Sequence, residues 1–513
     1  MIPSRHLARL ADALSALTLL AVVVLLFAVE PRWSVFSLVG DDAGYYLHLA
    51  RNVSLGFGFS FDRLEPSNGF NPLFPWLLIP IFRIAGAPSV DAAYRLGALV
   101  DVLAMLASLV LFARLVRGVL PEPRFAAPER RAVVAGAIAF YALFVCTKSY
   151  YGMDAPLVLL IGNAYLLRVM GHGLLAPGVR AAFLDGALLG LAFLARVDSL
   201  PLAVAAFGLM ILSSAIGRGA WTGVALRAVA FVALAAPYLV WGYSTFGTWL
   251  PISARIKSAF PDLDLGRSLE AIRHTSLHVA DQASFLLAFV LALFGCAWLA
   301  RQWLDRRLAQ VLGPGPGAVI ALLSVYLAGR FAYMLMFSRN DVQGSYAILA
   351  HVFNVLVLVA GLAALGGRAA PETRARLASL TAAALLLIGL VLFAGKLQVT
   401  SDRWRRMAAG EAVDDATIGR EIGAATQPTD ILYGGAFGIA GLFADRAWIN
   451  GDGVINTLDY QKALRDRRLR EYLDHRSVTH VVHVVPPGRN VSEPVEVRVR
   501  SGLFGTSDAL HLK

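Results

Sequence analysis

Cysteine is almost absent: Cys146 and Cys296 are the two in 513 residues, and both sit inside apolar runs. Neither a disulfide framework nor a cysteine metal cluster can be drawn from them. Charge is scarce as well, at 16% of residues, where soluble domains carry about 25%. With 57% hydrophobic residues and a mean hydropathy of +0.63, the composition excludes an ordinary soluble globular protein and leaves a polytopic membrane protein. A net charge of +11 would suit nucleic-acid binding. The arginines, however, fall mostly in short connections between apolar runs, where membrane topology accounts for them, so no nucleic-acid partner is expected.

The apolar runs predict spans near residues 11–29, 92–118, 132–149, 153–170, 180–195, 199–216, 224–243, 282–300, 316–337, 345–365 and 377–395, about eleven in all. The first follows Arg5 and Arg9 and ends in "EPRW" without a small-residue cleavage site, so it reads as an uncleaved span. A cytoplasmic N-terminus puts "RLVRGVLPEPRFAAPERR", "GRGAW", "RQWLDRR" and "GGRAAPETRAR" on the cytoplasmic side, as the positive-inside rule favours. The other side receives 30–91, 244–281 and the tail from 396. Residues 71–86, "NPLFPWLLIPIFRIAG", are apolar but short and broken by Pro72, Pro75 and Pro80, which predicts a juxtamembrane or re-entrant helix within a long first external loop. No internal repeat is visible.

The expected fold is therefore an α-helical membrane domain over 1–395 and a small extracytoplasmic α/β domain over 396–513. In that tail "DDATIGREIGAAT" and "LDYQKALRDRRLREYLDH" predict helices, and "DILYGG", "AWIN" and "THVVHVV" predict strands.

Chemistry concentrates at the outer ends of the spans. In "GDDAGYYLHLARN" Asp41, Tyr45 and His48 share one face of a helix at i, i+4 and i+7. One of Asp41 and Asp42 could serve only as the N-cap of that helix. Two adjacent acids leave one over, and like-charge repulsion with apolar surroundings would raise a carboxyl pKa into the range of a general base. Asp154, Arg196, Asp198, Arg255, Lys257, Arg330, Arg339 and Asp341 lie at other outer ends. Ionisable groups at such depth are functional candidates, although Arg196 with Asp198 could be a plain ion pair, and Arg255 and Lys257 could be snorkelling residues. Carboxylates and cations on one side of an apolar body suit a lipid-borne phosphate: a carboxylate would activate a hydroxyl, and Arg or Lys would hold the departing phosphate.

The order "DDAGYYLHLARN", "EPSNGFNPLFPW", "YYGMDAPL", "LARVDSLP", "FGTWLPISARIK" resembles the GT-C superfamily of membrane glycosyltransferases, such as aminoarabinose transferases, protein O-mannosyltransferases and arabinofuranosyltransferases, over roughly 35–260. The tail also looks like the external domains of some bacterial members. The resemblance implies transfer of a sugar from a polyprenyl-phosphate donor to a glycan, lipid or protein acceptor outside a bacterial inner membrane. It implies Asp41 as the base and Asp42 as the second acid, and suggests Lys257, Arg196 and Arg339 as ligands of phosphate or sugar. "GMD" at 152–154 departs from the commoner Gly-Met-Glu. No cofactor is required, and a divalent ion shared between two acids and a phosphate is conceivable without a readable ligand set. A flippase for lipid-linked sugar and a non-catalytic scaffold are the rival readings. "NVS" at 52–54 and 490–492 reads as a chance match to a glycosylation pattern.

Overall fold

A computed structural model describes residues 4–35, 37–120, 125–148, 151–216, 221–258, 263, 266, 279–337, 348–435, 437–485, 496–501 and 507–511. Among these residues ten helices are long and apolar enough to cross a bilayer: Ser4–Phe27, Val90–Val119, Ala127–Lys148, Ala155–His172, Val197–Ala215, Trp221–Phe246, Ser284–Leu304, Pro316–Phe337, Ile348–Gly366 and Pro371–Ala408. The protein is a multi-pass α-helical membrane protein. Large apolar side chains such as Leu17, Val232, Phe294 and Leu387 point outward. That arrangement is stable only where hydrocarbon replaces water.

The expected span at 180–195 is the helix Val179–Ala195, shorter than the ten at 17 residues. Its two ends nevertheless lie at opposite ends of its neighbours. Near its start Asp185 accepts hydrogen bonds from Arg168 at 2.7 Å and Arg227 at 2.9 Å, beside connections joined by Leu174 N–H to Leu312 O. At its far end Arg196 reaches Asp154. This helix therefore runs alongside its neighbours without reaching their length, so ten candidate spans stand among the described residues where the hydropathy predicts about eleven.

Two short helices fill the segment between Ser4–Phe27 and Val90–Val119. Ala43–Ser54, here α1, is buried along almost its whole length, and Leu73–Ile84, here α2, has only 12 residues. At ~1.5 Å per residue α2 reaches less than two thirds of the hydrocarbon thickness, as expected for a segment that does not span. The last long helix, Pro371–Ala408, runs well past the expected boundary at 395. Its sequence there holds no Gly or Pro until Gly410, which takes a left-handed φ of 73° and ends it. Trp404 donates to the Trp33 carbonyl at 3.0 Å, tying this extension to the first segment.

Beyond it lies the C-terminal domain, a five-stranded sheet of order β2-β1-β3-β4-β5. Strands β1 (Ile431–Gly434), β2 (Ala447–Asn450) and β3 (His480–Val485) are parallel, while β4 (Glu496–Ser501) and β5 (Ser507–His511) continue antiparallel. Helix α3 (Asp415–Ala425) starts at Asp414, whose carboxylate accepts from the N–H groups of Ala416 and Thr417. Helix α4 (Gly438–Ala444) follows β1. The single helix expected over 458–475 is two, Leu458–Arg465 and Leu469–His475. Arg467 between them has φ 57°, which breaks a right-handed helix despite continuous amphipathic spacing.

The domain is clamped onto the segment between the first two long helices. Asp445 pairs with Arg51 at 2.6 Å and with Arg63, and Arg476 pairs with Glu65. Helices α1 and α4 approach so closely that a Cβ on Gly44 would overlap the Gly438 backbone, and one on Gly438 would overlap the Asp41 carbonyl. Only glycine at both positions permits that contact.

Candidate active site

Neither acid of the pair caps α1. Asp42 occupies its N-cap position without a side-chain hydrogen bond. Asp41 instead turns to the C-terminal domain, where Oδ2 accepts from Gly438 N–H at 3.1 Å and Oδ1 from Ile439 N–H at 2.9 Å. The capping alternative thus fails for this helix and holds, unforeseen, for α4. Burial pushes the Asp41 carboxyl up to about 6, against the pull of those two N–H groups and with help from the charges of Asp42 and Asp452. Asp415, close enough for Asp41 to repel its ionised form, is pushed up to about 7, chiefly by burial. A carboxylate near pKa 6 is ionised at neutral pH and still basic enough to take a proton.

Tyr45, on the same face, links the acids to the C-terminal domain. Its hydroxyl donates to Asp452 Oδ2 at 3.2 Å and accepts from Asn450 Nδ2 at 2.7 Å. Burial holds that hydroxyl protonated, well above its usual range. Lys257, at the end of the short helix Ile252–Lys257, is a charged neighbour of Asp452. The structure therefore gathers Asp41, Asp42, Tyr45, Asp452 and Lys257. Asp452 and Asn450 were not foreseen, because nothing in "AWINGDGVIN" places it beside residues some 400 positions earlier.

A second cluster lies behind the first. Asp154 is fully buried, and accepts hydrogen bonds from Tyr46 at 2.8 Å, Asn71 at 2.5 Å and Arg196 at 3.3 Å. Arg196 also holds Asp198 in a two-pronged pair at 3.0 and 3.2 Å. Arg330 donates to the same carboxylate at 2.8 Å and to the Asp198 carbonyl at 2.9 Å. Asn71 accepts from Val197 N–H at 3.1 Å. Two carboxylates and two guanidiniums balance, and the network stitches α1, the segment before α2 and three spans together. The plain ion-pair alternative for Arg196 and Asp198 describes their geometry. Asp154, for all its departure from Gly-Met-Glu, is the hub.

His48 shares the face of Tyr45 but is fully buried, its ring edge-on to Phe61 with centroids 5.1 Å apart. Burial and the nearby Arg63 drive its pKa down to about 3, so the ring is neutral. It belongs to the packing beneath the clamp rather than to the acid cluster. Arg255 is exposed on the helix that carries Lys257. Arg339 and Asp341 lie outside the described residues. Among the described residues no three His, Cys, Asp or Glu side chains converge as a metal site.

No family model matches the chain, and no curated protein sequence matches it. Solved structures do match. The Archaeoglobus fulgidus oligosaccharyltransferase in its apo form aligns over 92% of this chain and 69% of its own, with a TM-score of 0.51 at 15% identity. Its complex with Zn and sulfate aligns over 92% and 68%, with a TM-score of 0.52 at 14% identity. ArnT from Cupriavidus metallidurans in the apo state aligns over 94% of this chain and 96% of its own, with a TM-score of 0.51 at 13% identity. The fold so defined is that of a polytopic helical body with a C-terminal domain. More particularly, it is the fold of the Archaeoglobus oligosaccharyltransferase and of ArnT, in keeping with the GT-C resemblance of the sequence. Identities this low speak for the fold, and chemistry must be argued from the residues.

Proposed function

We propose that the protein is an inverting glycosyltransferase that moves a sugar from a polyprenyl-phosphate donor to a hydroxyl of a cell-envelope glycan, lipid or protein, at the outer face of a bacterial inner membrane. The observation that carries this reading is the Asp41–Asp42 pair, with one carboxyl raised to about 6 and fixed by two backbone N–H groups, beside Lys257 at the rim of a GT-C body. Asp41 is the base. It takes the acceptor's hydroxyl proton as that oxygen forms its bond to the anomeric carbon. The bond from that carbon to the phosphate oxygen breaks, and its electron pair leaves on polyprenyl phosphate. A single displacement inverts the anomeric centre, and needs one base rather than the two carboxylates of glycoside hydrolysis.

Lys257 is the cation assigned to the leaving phosphate, because a positive charge placed where negative charge develops lowers the barrier. Arg196 and Asp198 are assigned to the scaffold, since the charges of their network already balance. No step calls on a cofactor. The polyprenyl chain would lie against the apolar helices, and the outer domain faces the aqueous side from which the acceptor arrives.

The test is release of polyprenyl phosphate by the purified protein in nanodiscs, offered a panel of undecaprenyl- and decaprenyl-phosphate pentoses and hexoses with a cell-envelope extract as acceptor. Asp41→Asn is expected to lower kcat by about 10²- to 10⁴-fold, the usual worth of a general base, with Asp42→Asn also strongly impaired. Wild-type turnover in both variants would sink the proposal. Donor binding and translocation across liposomes without release would point to a flippase instead.

A further inference from the structure

The acceptor side of this site can be specified further, on the footing of the glycosyltransferase reading above. The carboxyl ends of the two neighbouring parallel strands β1 and β2 both meet the acid pair. After β1 come the Gly438 and Ile439 N–H groups that hold Asp41, and at the end of β2 and just past it come Asn450 and Asp452, which hold Tyr45. The crevice beyond the carboxyl ends of parallel strands is where such sheets bind ligands. In this protein that crevice closes over the catalytic segment of the membrane body.

The turn carrying Asp452 is rigid. Gly453 adopts φ 76°, and a Cβ there would overlap Gln461. Asn456 Nδ2 donates to the Asn450 carbonyl at 2.8 Å, and the Tyr460 hydroxyl to the Gly451 carbonyl at 2.9 Å. Asp452 itself takes Val454 N–H on Oδ1 at 2.9 Å and the Tyr45 hydroxyl on Oδ2. An ionised carboxylate offers about four acceptor positions, so about two remain. The residue is exposed to solvent. An asparagine could close the same turn and meet the same tyrosine, so the local fold does not require a charge at this position. That charge also stands near Asp42, where repulsion makes it costly, with Lys257 as its counterweight. A donor phosphate would be repelled by it. A hydroxyl would be held by it.

We propose that Asp452 is the acceptor-positioning residue, its carboxylate accepting a hydrogen bond from a second hydroxyl of the incoming molecule, so that the acceptor is a sugar or polyol with a hydroxyl near the one that reacts. The outer domain is then part of the active site and selects the acceptor.

The assay above, run with envelope extract from a strain deleted for this gene as the titrated acceptor, separates the outcomes. D452N is expected to raise the acceptor KM by about 10- to 100-fold, the worth of one hydrogen bond to a charged group, with kcat and donor KM changed by less than about threefold and D452E restoring part of the loss. D452S carries the same test if D452N does not fold. Wild-type kinetics in D452N, or a fall in kcat at unchanged acceptor KM, overturns this inference alone, provided D41N and D42N remain inactive. Activity in D41N and D42N equal to wild type, or no turnover by the wild type on any donor, overturns the underlying reading and this inference with it.

Discussion

Two polar clusters lie back to back on α1, divided by one residue step: Tyr45 faces Asp41, Asp42 and Asp452, and Tyr46 faces Asp154, Arg196, Asp198 and Arg330. The second is centred on the buried Asp154, balanced in charge, and joined by hydrogen bonds from Tyr46, Asn71, Arg196 and Arg330. The first has more acids than cations, and Asp452 in it is exposed. Buried charge survives when paired and fully hydrogen-bonded, and such a network fixes geometry. Uncompensated charge beside solvent raises a pKa and leaves acceptor sites for a substrate. Under the proposed function, the contrast assigns the ionisable residues of the second cluster to the scaffold and those of the first to the reaction, although in sequence they look alike.

The comparison can be broken at its stronger member first. Asp154→Ala strands Tyr46 and Asn71 and leaves Arg196 with one carboxylate, so a loss of about 3–5 kcal/mol is expected, the usual cost of breaking a buried pair. It should be visible as a lowered thermal midpoint even without substrate, and a midpoint unchanged from wild type would contradict the scaffold role. Gly438→Ala acts at the reactive cluster, forcing the helix that holds Asp41 away from it. A shift of about 1 Å in a catalytic group costs on the order of 10²-fold in rate, so kcat should fall far more than stability does.

The pH profile sharpens the contrast further. The raised folded-state pKa of Asp41 means that the base is lost by protonation as pH falls through about 6. An acid limb of kcat/KM near pH 6, displaced or abolished in Asp41→Asn, is the expected result. A flat profile between pH 5 and 7 would remove Asp41 from the base role. The smallest effect belongs to Arg255→Ala: the side chain is exposed, so the transfer rate should stay within about threefold and the unfolding free energy within about 0.5 kcal/mol of wild type.

Much of this was legible beforehand. The spans, the short α2, the first three strands of the tail and the adjacent acids all follow from local composition and period, whereas the parallel pairing of those strands and the presence of β4 and β5 do not. His48 was not: i, i+4 and i+7 spacing defines a face, but only packing shows that Phe61 covers part of it. The helix break at Arg467 escaped as well, because a left-handed backbone residue leaves no trace in amphipathic spacing. Asp452 and Asn450 were hidden by distance along the chain.

By itself the sequence determined a helical body with spans of bilayer length, a C-terminal α/β domain and a pair of adjacent carboxylates after the first span, because hydropathy and periodicity are properties of neighbouring residues. Only the tertiary structure decided that Asp41 is held by the C-terminal domain, that Arg196 is spent on Asp154 and Asp198, and that Asp452 joins the acid cluster. Those assignments depend on which charges come within a few ångströms of one another, and the folded chain brings together residues about 400 positions apart.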